Sequence, residues 1–200
     1  MRFIIATHNP HKLEELSRIL SPLGIEAATD RVLGIALSEV EETGTTFAAN
    51  AFLKAEAACR ESGLPAIADD SGLCIDALNG APGVYSARYA PEGERKQTVL
   101  RQLANVPDER RGARFVSSVC CVFPNGDTVT AEGVCEGRIG RECRGQNGFG
   151  YDPIFEVAGG KTFAELSAEE KDRISHRGVA LRQFQTQLSA YLKEHGSNDE

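Results

Sequence analysis

Apolar and polar positions along this chain fall into short blocks with two different periods. Phe3-Ile4-Ile5-Ala6 is an unbroken apolar run, the pattern of a short buried strand. Asn9 and Pro10 follow, a good helix cap and a good first helical residue. Leu13, Leu16, Ile19 and Leu20 then recur at helical spacing, so the chain opens as strand, polar loop, helix. Leu23-Gly24-Ile25 is a candidate opening of a second strand. Thr45 or Thr46 can cap a helix from 47 to about 60, with Phe47, Ala51, Ala55 and Ala58 on its apolar face. Asn50 and Lys54 share another face of that helix.

Ala66-Ile67-Ala68 is a second buried-strand pattern, and it ends in Asp69-Asp70-Ser71-Gly72. Adjacent strand residues point to opposite faces, so the two carboxylates cannot share one environment. Asp-Ser-Gly is also ordinary turn chemistry, which predicts a strand end here and a new strand over 73–78. A helix is expected over 96–103, then strands over 114–123 and 128–135 around the hairpin signal Pro124-Asn125-Gly126-Asp127. A short strand over 154–157 comes next. Ser167 and Glu170 have capping-box spacing, and the last helix is expected from about 179 to 193.

Composition narrows the partners. The 200 residues carry 22 basic and 29 acidic side chains, a net charge of −7. That balance argues against binding a nucleic acid polymer through a broad basic surface. No apolar run reaches membrane-spanning length, and the start of the chain runs straight into a strand pattern instead of a signal peptide. Six cysteines occur with no Cys-x-x-Cys spacing, which argues against zinc and fits a cytoplasmic protein with reduced thiols.

The candidate chemistry is a set of hard oxygen donors, scattered cations and one aromatic loop. The acids are Glu41 and Glu42, followed by Lys54, and then Asp69 and Asp70. Carboxylates suit Mg²⁺, which takes few protein ligands and shares its shell with phosphate oxygens. N–H groups at the first helix, with Lys12 nearby, make a natural phosphate seat, although a plain capped turn explains the same residues. Gly148-Phe149-Gly150 presents a ring among glycines, suited to stacking on a nucleobase. Lys171 and Ser175-His176-Arg177 supply late cations. Together these point to nucleotide phosphate chemistry.

Thr7-x-Asn9-x-x-Lys12, Ala68-Asp69-Asp70-Ser71-Gly72, the stretch from Gly80 to Tyr89, Gly148-Phe149-Gly150-Tyr151-Asp152-Pro153 and Ser175-His176-Arg177 occur in that order along nearly the whole chain. In these motifs the sequence resembles the inosine/xanthosine triphosphate pyrophosphatases. The resemblance implies an α/β fold: an elongated mixed β-sheet flanked by helices, with two lobes around a central substrate cleft, in one domain over 1–196 with a polar tail at 197–200. It implies Mg²⁺-dependent hydrolysis of dITP, ITP and XTP to the monophosphate and pyrophosphate, by a homodimer that cleanses the nucleotide pool. By motif, Asp70 is the proton acceptor and a metal ligand, with Glu42, favoured over Glu41, as the other. Thr7, His8, Asn9, Pro10, His11 and Lys12 seat phosphates with Lys54. Ser71, Phe149, Gly150, Tyr151, Asp152, Lys171, His176 and Arg177 touch substrate. His8 stands where many members of that family have glycine. A 6-oxo purine accepts a hydrogen bond where adenine donates one, so a donor such as His176 would reject adenine. Two other readings are a pyrophosphatase for modified pyrimidine or methylated nucleotides, and a nucleotide-binding regulator without turnover.

Overall fold

The computed structural model describes residues 2–7, 9–21 and 25–195. His8, the expected strand opening at Leu23-Gly24 and the polar tail lie outside them. The chain divides into two compact units, one of Met1–Asp70, Ser117–Gly133 and Ala180–Glu200, the other of Ser71–Val116 and Val134–Val179.

In the first unit, β1 (Arg2–Ile5) buries Phe3, Ile4 and Ile5 and pairs in parallel with both β2 (Glu26–Ala28) and β3 (Ala66–Ile75). Parallel neighbours need crossover connections, and helices supply them. The first is α1 (Pro10–Leu20), capped by Asn9, and the second contains α2 (Asp30–Leu33) and α3 (Phe47–Ser62). The Thr46 hydroxyl accepts from the Ala49 N–H at 3.1 Å, and Gly63 closes α3 in the left-handed conformation. Alternation along the strands sorts the core into two layers. Ile67, Val119, Cys121 and Phe123 pack with Leu16 and Leu20, while Ala66, Ala68, Cys120 and Val122 pack on the Ala51, Ala55 and Ala58 stripe of α3.

Helix α4 (Arg95–Gln102) precedes the hairpin of β4 (Gly112–Val122) and β5 (Thr128–Ile139), which turns at 124–127 as its residues predict. β6 (Phe155–Glu156) pairs antiparallel with β5, completing a mixed sheet of order β2-β1-β3-β4-β5-β6. Helix α5 (Ala168–Ile174) starts at the Ser167–Glu170 capping box, and α6 (His176–His195) ends the described chain. The second unit has its own core of Leu73, Ile75, Phe115, Phe155, Phe163 and neighbours. The fold is α/β, as expected. Among the described residues no helix is long and apolar enough to cross a membrane.

The expected break at Asp69-Asp70-Ser71-Gly72 is not there. β3 runs without interruption from Ala66 to Ile75, and Asp76–Leu78 forms a 3-10 turn in place of more strand. β1 pairs with β3 only at Ala66 and Ile67, and past that point β4, its neighbour on the other side in the sheet, continues alongside it. Turn-prone residues yield to that constraint.

Candidate active site

Asp69 and Asp70 stand mid-strand, almost wholly buried, and face opposite ways as the alternation requires. On the α1 side, Lys12 Nζ lies 3.1 Å from Asp69 Oδ2. On the α3 side, Asn50 Nδ2 donates to Asp70 Oδ2 at 3.1 Å, and Lys54 Nζ lies 3.6 Å from Asp70 Oδ1. The same Lys54 ammonium donates to Glu42 Oε1 at 2.7 Å. One lysine therefore gathers two carboxylates that are 28 residues apart in sequence, Glu42 and Asp70. Glu41, beside it, is exposed. Of the acidic doublet it is Glu42 that the loop turns toward Asp70. Lys54 is not the solvated lysine that a lone helix cation usually is.

Burial is the largest influence on Asp70 and pushes its carboxyl above the usual range; Lys54 and Lys12 pull it back, while Glu42 pushes it further. For Lys54, burial alone would lower the pKa, but the charges of Asp70, Asp69 and Glu42 outweigh it and the net direction is upward. The pair of carboxylate donors that could hold a metal is Asp70 with Glu42. Among the described residues no group of three or more His, Cys, Asp or Glu side chains is arranged to do so. Carboxylate oxygens are hard donors of the kind that divalent cations such as Mg²⁺ and Mn²⁺ take.

The loop after β1 differs from the expected phosphate seat. The Asn9 side chain accepts from the His11 and Lys12 N–H groups at 3.0 and 3.3 Å, the Asn9 N–H donates to Thr7 Oγ1 at 3.2 Å, and Pro10 has no N–H. These N–H groups cap the helix. Among the described residues of the segment, Lys12 adds an ammonium, which is paired with Asp69.

The second unit holds the late residues. Asp152 Oδ2 accepts from the Phe149 N–H at 2.9 Å and from Lys171 Nζ at 2.8 Å. Gly148 has φ +72°, and a Cβ there would run into the Asp152 carboxylate, so the loop's sharp approach requires glycine. The half-buried Phe149 ring has Lys171 Nζ 5.0 Å and the Arg177 guanidinium 5.9 Å from its centroid. Arg177 Nη2 donates to Ser71 Oγ at 2.9 Å. His176 stacks on Phe115, centroids 4.7 Å apart and planes 12° apart. Ser175 accepts from the Gly178 N–H at 3.1 Å, as an N-cap of α6 does, but His176 and Arg177 are not on a polar surface turn: they are 5% and 2% exposed. Tyr151 is also buried, its hydroxyl donating to the Ser86 carbonyl at 2.8 Å, while Gly150 is exposed.

Sequence reasoning missed Asn50 and Ser86 as site supports. Ser86 accepts from the Leu73 N–H at 2.9 Å and donates to the Gly83 carbonyl at 2.6 Å, which ties the 83–88 loop to β3 just past Ser71. Asn50 carried a readable signal, a polar residue one turn before Lys54.

Comparisons with known proteins bear on the family and the fold. The family model described as Ham1 family matches residues 3–187. A protein of an Exiguobacterium species named dITP/XTP pyrophosphatase is 48% identical over 197 residues, covering 96% of this chain and all of that one. A Bacillus subtilis protein of the same name is 48% identical, covering 94% and 96%. Among solved structures, a HAM1 protein from Coxiella burnetii aligns with TM-score 0.85 and 44% identity over 97% of this chain and 99% of that chain. A match of this extent, to the family model and to whole relatives alike, makes this chain a member of the Ham1 family.

Proposed function

We propose that the protein hydrolyses deaminated purine nucleoside triphosphates, dITP, ITP and XTP, to the monophosphate and pyrophosphate, and so keeps these bases out of nucleic acids. It is a nucleoside triphosphate pyrophosphatase by family, as its relatives named dITP/XTP pyrophosphatase indicate. The observation that carries the mechanism is the buried Asp70 carboxylate, held by Asn50 on one oxygen and Lys54 on the other, with Glu42 on the same lysine.

Asp70 accepts the proton of the water that attacks the α-phosphorus. A buried carboxylate held on both oxygens by Asn50 and Lys54 is fixed in place to take that proton. Lys12 and Lys54, each an ammonium with three donors, hold phosphate oxygens and balance the local negative charge. Mg²⁺, when bound at Asp70 and Glu42, supplies neutralisation of the charge that develops on the pyrophosphate leaving group. Within the second unit, the Phe149 ring with Lys171 and Arg177 beside it suits an aromatic or anionic ligand group, and His176 stacks on Phe115. The dimeric state implied by the resemblance is part of this proposal.

A substrate panel tests it. With Mg²⁺, dITP and XTP should give monophosphate and pyrophosphate with kcat/KM roughly ten- to a hundredfold above ATP, the effect of one mismatched buried hydrogen bond. EDTA should abolish the activity and added Mg²⁺ restore it. Preference for a modified pyrimidine triphosphate would favour the rival substrate class, and tight binding without products would favour the regulator.

A further inference from the structure

Asn50 is fully buried in the first turns of α3, and both ends of its side-chain amide are engaged. Oδ1 accepts from the Gly44 N–H at 2.8 Å, and Nδ2 donates to Asp70 Oδ2 at 3.1 Å. The orientation of the amide follows from its partners, since a backbone N–H only donates and a carboxylate only accepts. A second observation concerns the same junction. A Cβ on Gly44 would lie 2.6 Å from Asn50 Oδ1 and 2.8 Å from the Ala49 Cβ, so the acidic loop passes this helix at a distance only glycine allows. Two residues before Gly44, Glu42 reaches Lys54, which lies one turn along the same helix face as Asn50. The loop is therefore pinned to α3 twice, by backbone through Asn50 and by side chain through Lys54.

We infer that Asn50 is a positioning residue that sets the Asp70 carboxylate and the Glu42 loop in register with each other. The inference rests on the reading of Asp70 and Glu42 as the metal-side carboxylates. Asparagine suits this role because it is neutral and offers an acceptor to the loop and a donor to the carboxylate from one rigid plane. Leucine keeps the volume and removes both bonds. Aspartate keeps the bond to Gly44 and sets a like charge against Asp70. Outer supports of this kind are worth roughly 10–100-fold in metal affinity or activity.

The test uses the full chain and two readouts. The first is Mn²⁺ binding to the nucleotide-free protein, followed by the electron paramagnetic resonance of unbound Mn²⁺. The second is steady-state dITP hydrolysis with Mg²⁺. Asn50→Leu should weaken Mn²⁺ binding and lower kcat by roughly 10–100-fold each, with KM for dITP within about threefold of the parent, as expected for a support of Asp70 that does not itself bind nucleotide. Gly44→Ala, which leaves Asn50 in place and pushes the loop away, should move both readouts in the same direction. A purely structural Asn50 would lower melting temperature and folded fraction but leave Mn²⁺ affinity and kcat per folded molecule at parental values in both variants, and that result overturns the inference. If the parent protein releases no pyrophosphate from dITP, the proposed function fails, and the Mn²⁺ arm alone still decides the role of Asn50. Parental Mn²⁺ affinity in Asn50→Leu, or no Mn²⁺ binding by the parent, rejects it.

Discussion

Asp70→Asn leaves the protein folded and lowers dITP turnover by roughly 10²–10⁴-fold, the usual worth of a positioned general base. The amide matches the carboxylate in size, which matters at a site only 6% exposed. Its oxygen can still accept from Asn50, and Lys54 keeps Glu42 as partner. What the variant loses is the ability to take a proton, and one of two hard anionic donors for a cation. Circular dichroism and melting temperature check the fold, and steady-state kinetics read the loss. Near-normal turnover in a folded variant would move the base role to Asp69 or Glu42. Asp69 is the weaker substitute, because it faces the other side of β3 and is tied to Lys12.

The second large effect is on stability. Asp152→Ala should cost about 3–5 kcal/mol, since it leaves the Lys171 ammonium buried without its carboxylate. The two side chains are 5% and 9% exposed and 2.8 Å apart, so solvent cannot replace the lost partner cheaply. Asp152 also accepts from the Phe149 N–H, so the Gly148–Gly150 turn loosens at the same time. For a chain of this length the melting temperature should fall by roughly 6–20 °C. Adding Lys171→Met should recover much of that loss while leaving activity low, because no buried charge then remains uncompensated. A single variant as stable as the parent would show that Lys171 finds its compensation elsewhere, and Asp152 would lose its place as the anchor of the Phe149 loop.

Local chemistry was legible where it agreed with its surroundings. Asn9-Pro10, Thr46, the Pro124–Asp127 turn and the Ser167–Glu170 box each predict an element boundary that the structure keeps. It misled where tertiary context decided. Asp-Ser-Gly reads as a turn, yet β3 runs on through it as the strand beside β4. Asn9 reads equally as a cap and as part of an anion seat, and the structure has it occupying the very N–H groups an anion would use. His176 and Arg177 read only as late cations ahead of the last helix, but their partners, Phe115, Phe149 and Ser71, come from distant parts of the chain. Only the fold brings them together and buries them. Periodicity likewise could not tell which of Glu41 and Glu42 turns inward; in the structure it is Glu42 that reaches Lys54.

Hydrolysis of dITP with Mg²⁺ in ¹⁸O-enriched water, with mass spectrometry of the products, shows which phosphorus the water attacks. Attack at the α-phosphorus with pyrophosphate leaving puts one ¹⁸O in the monophosphate and none in pyrophosphate. Label in pyrophosphate, or labelled orthophosphate released with a nucleoside diphosphate, would contradict it.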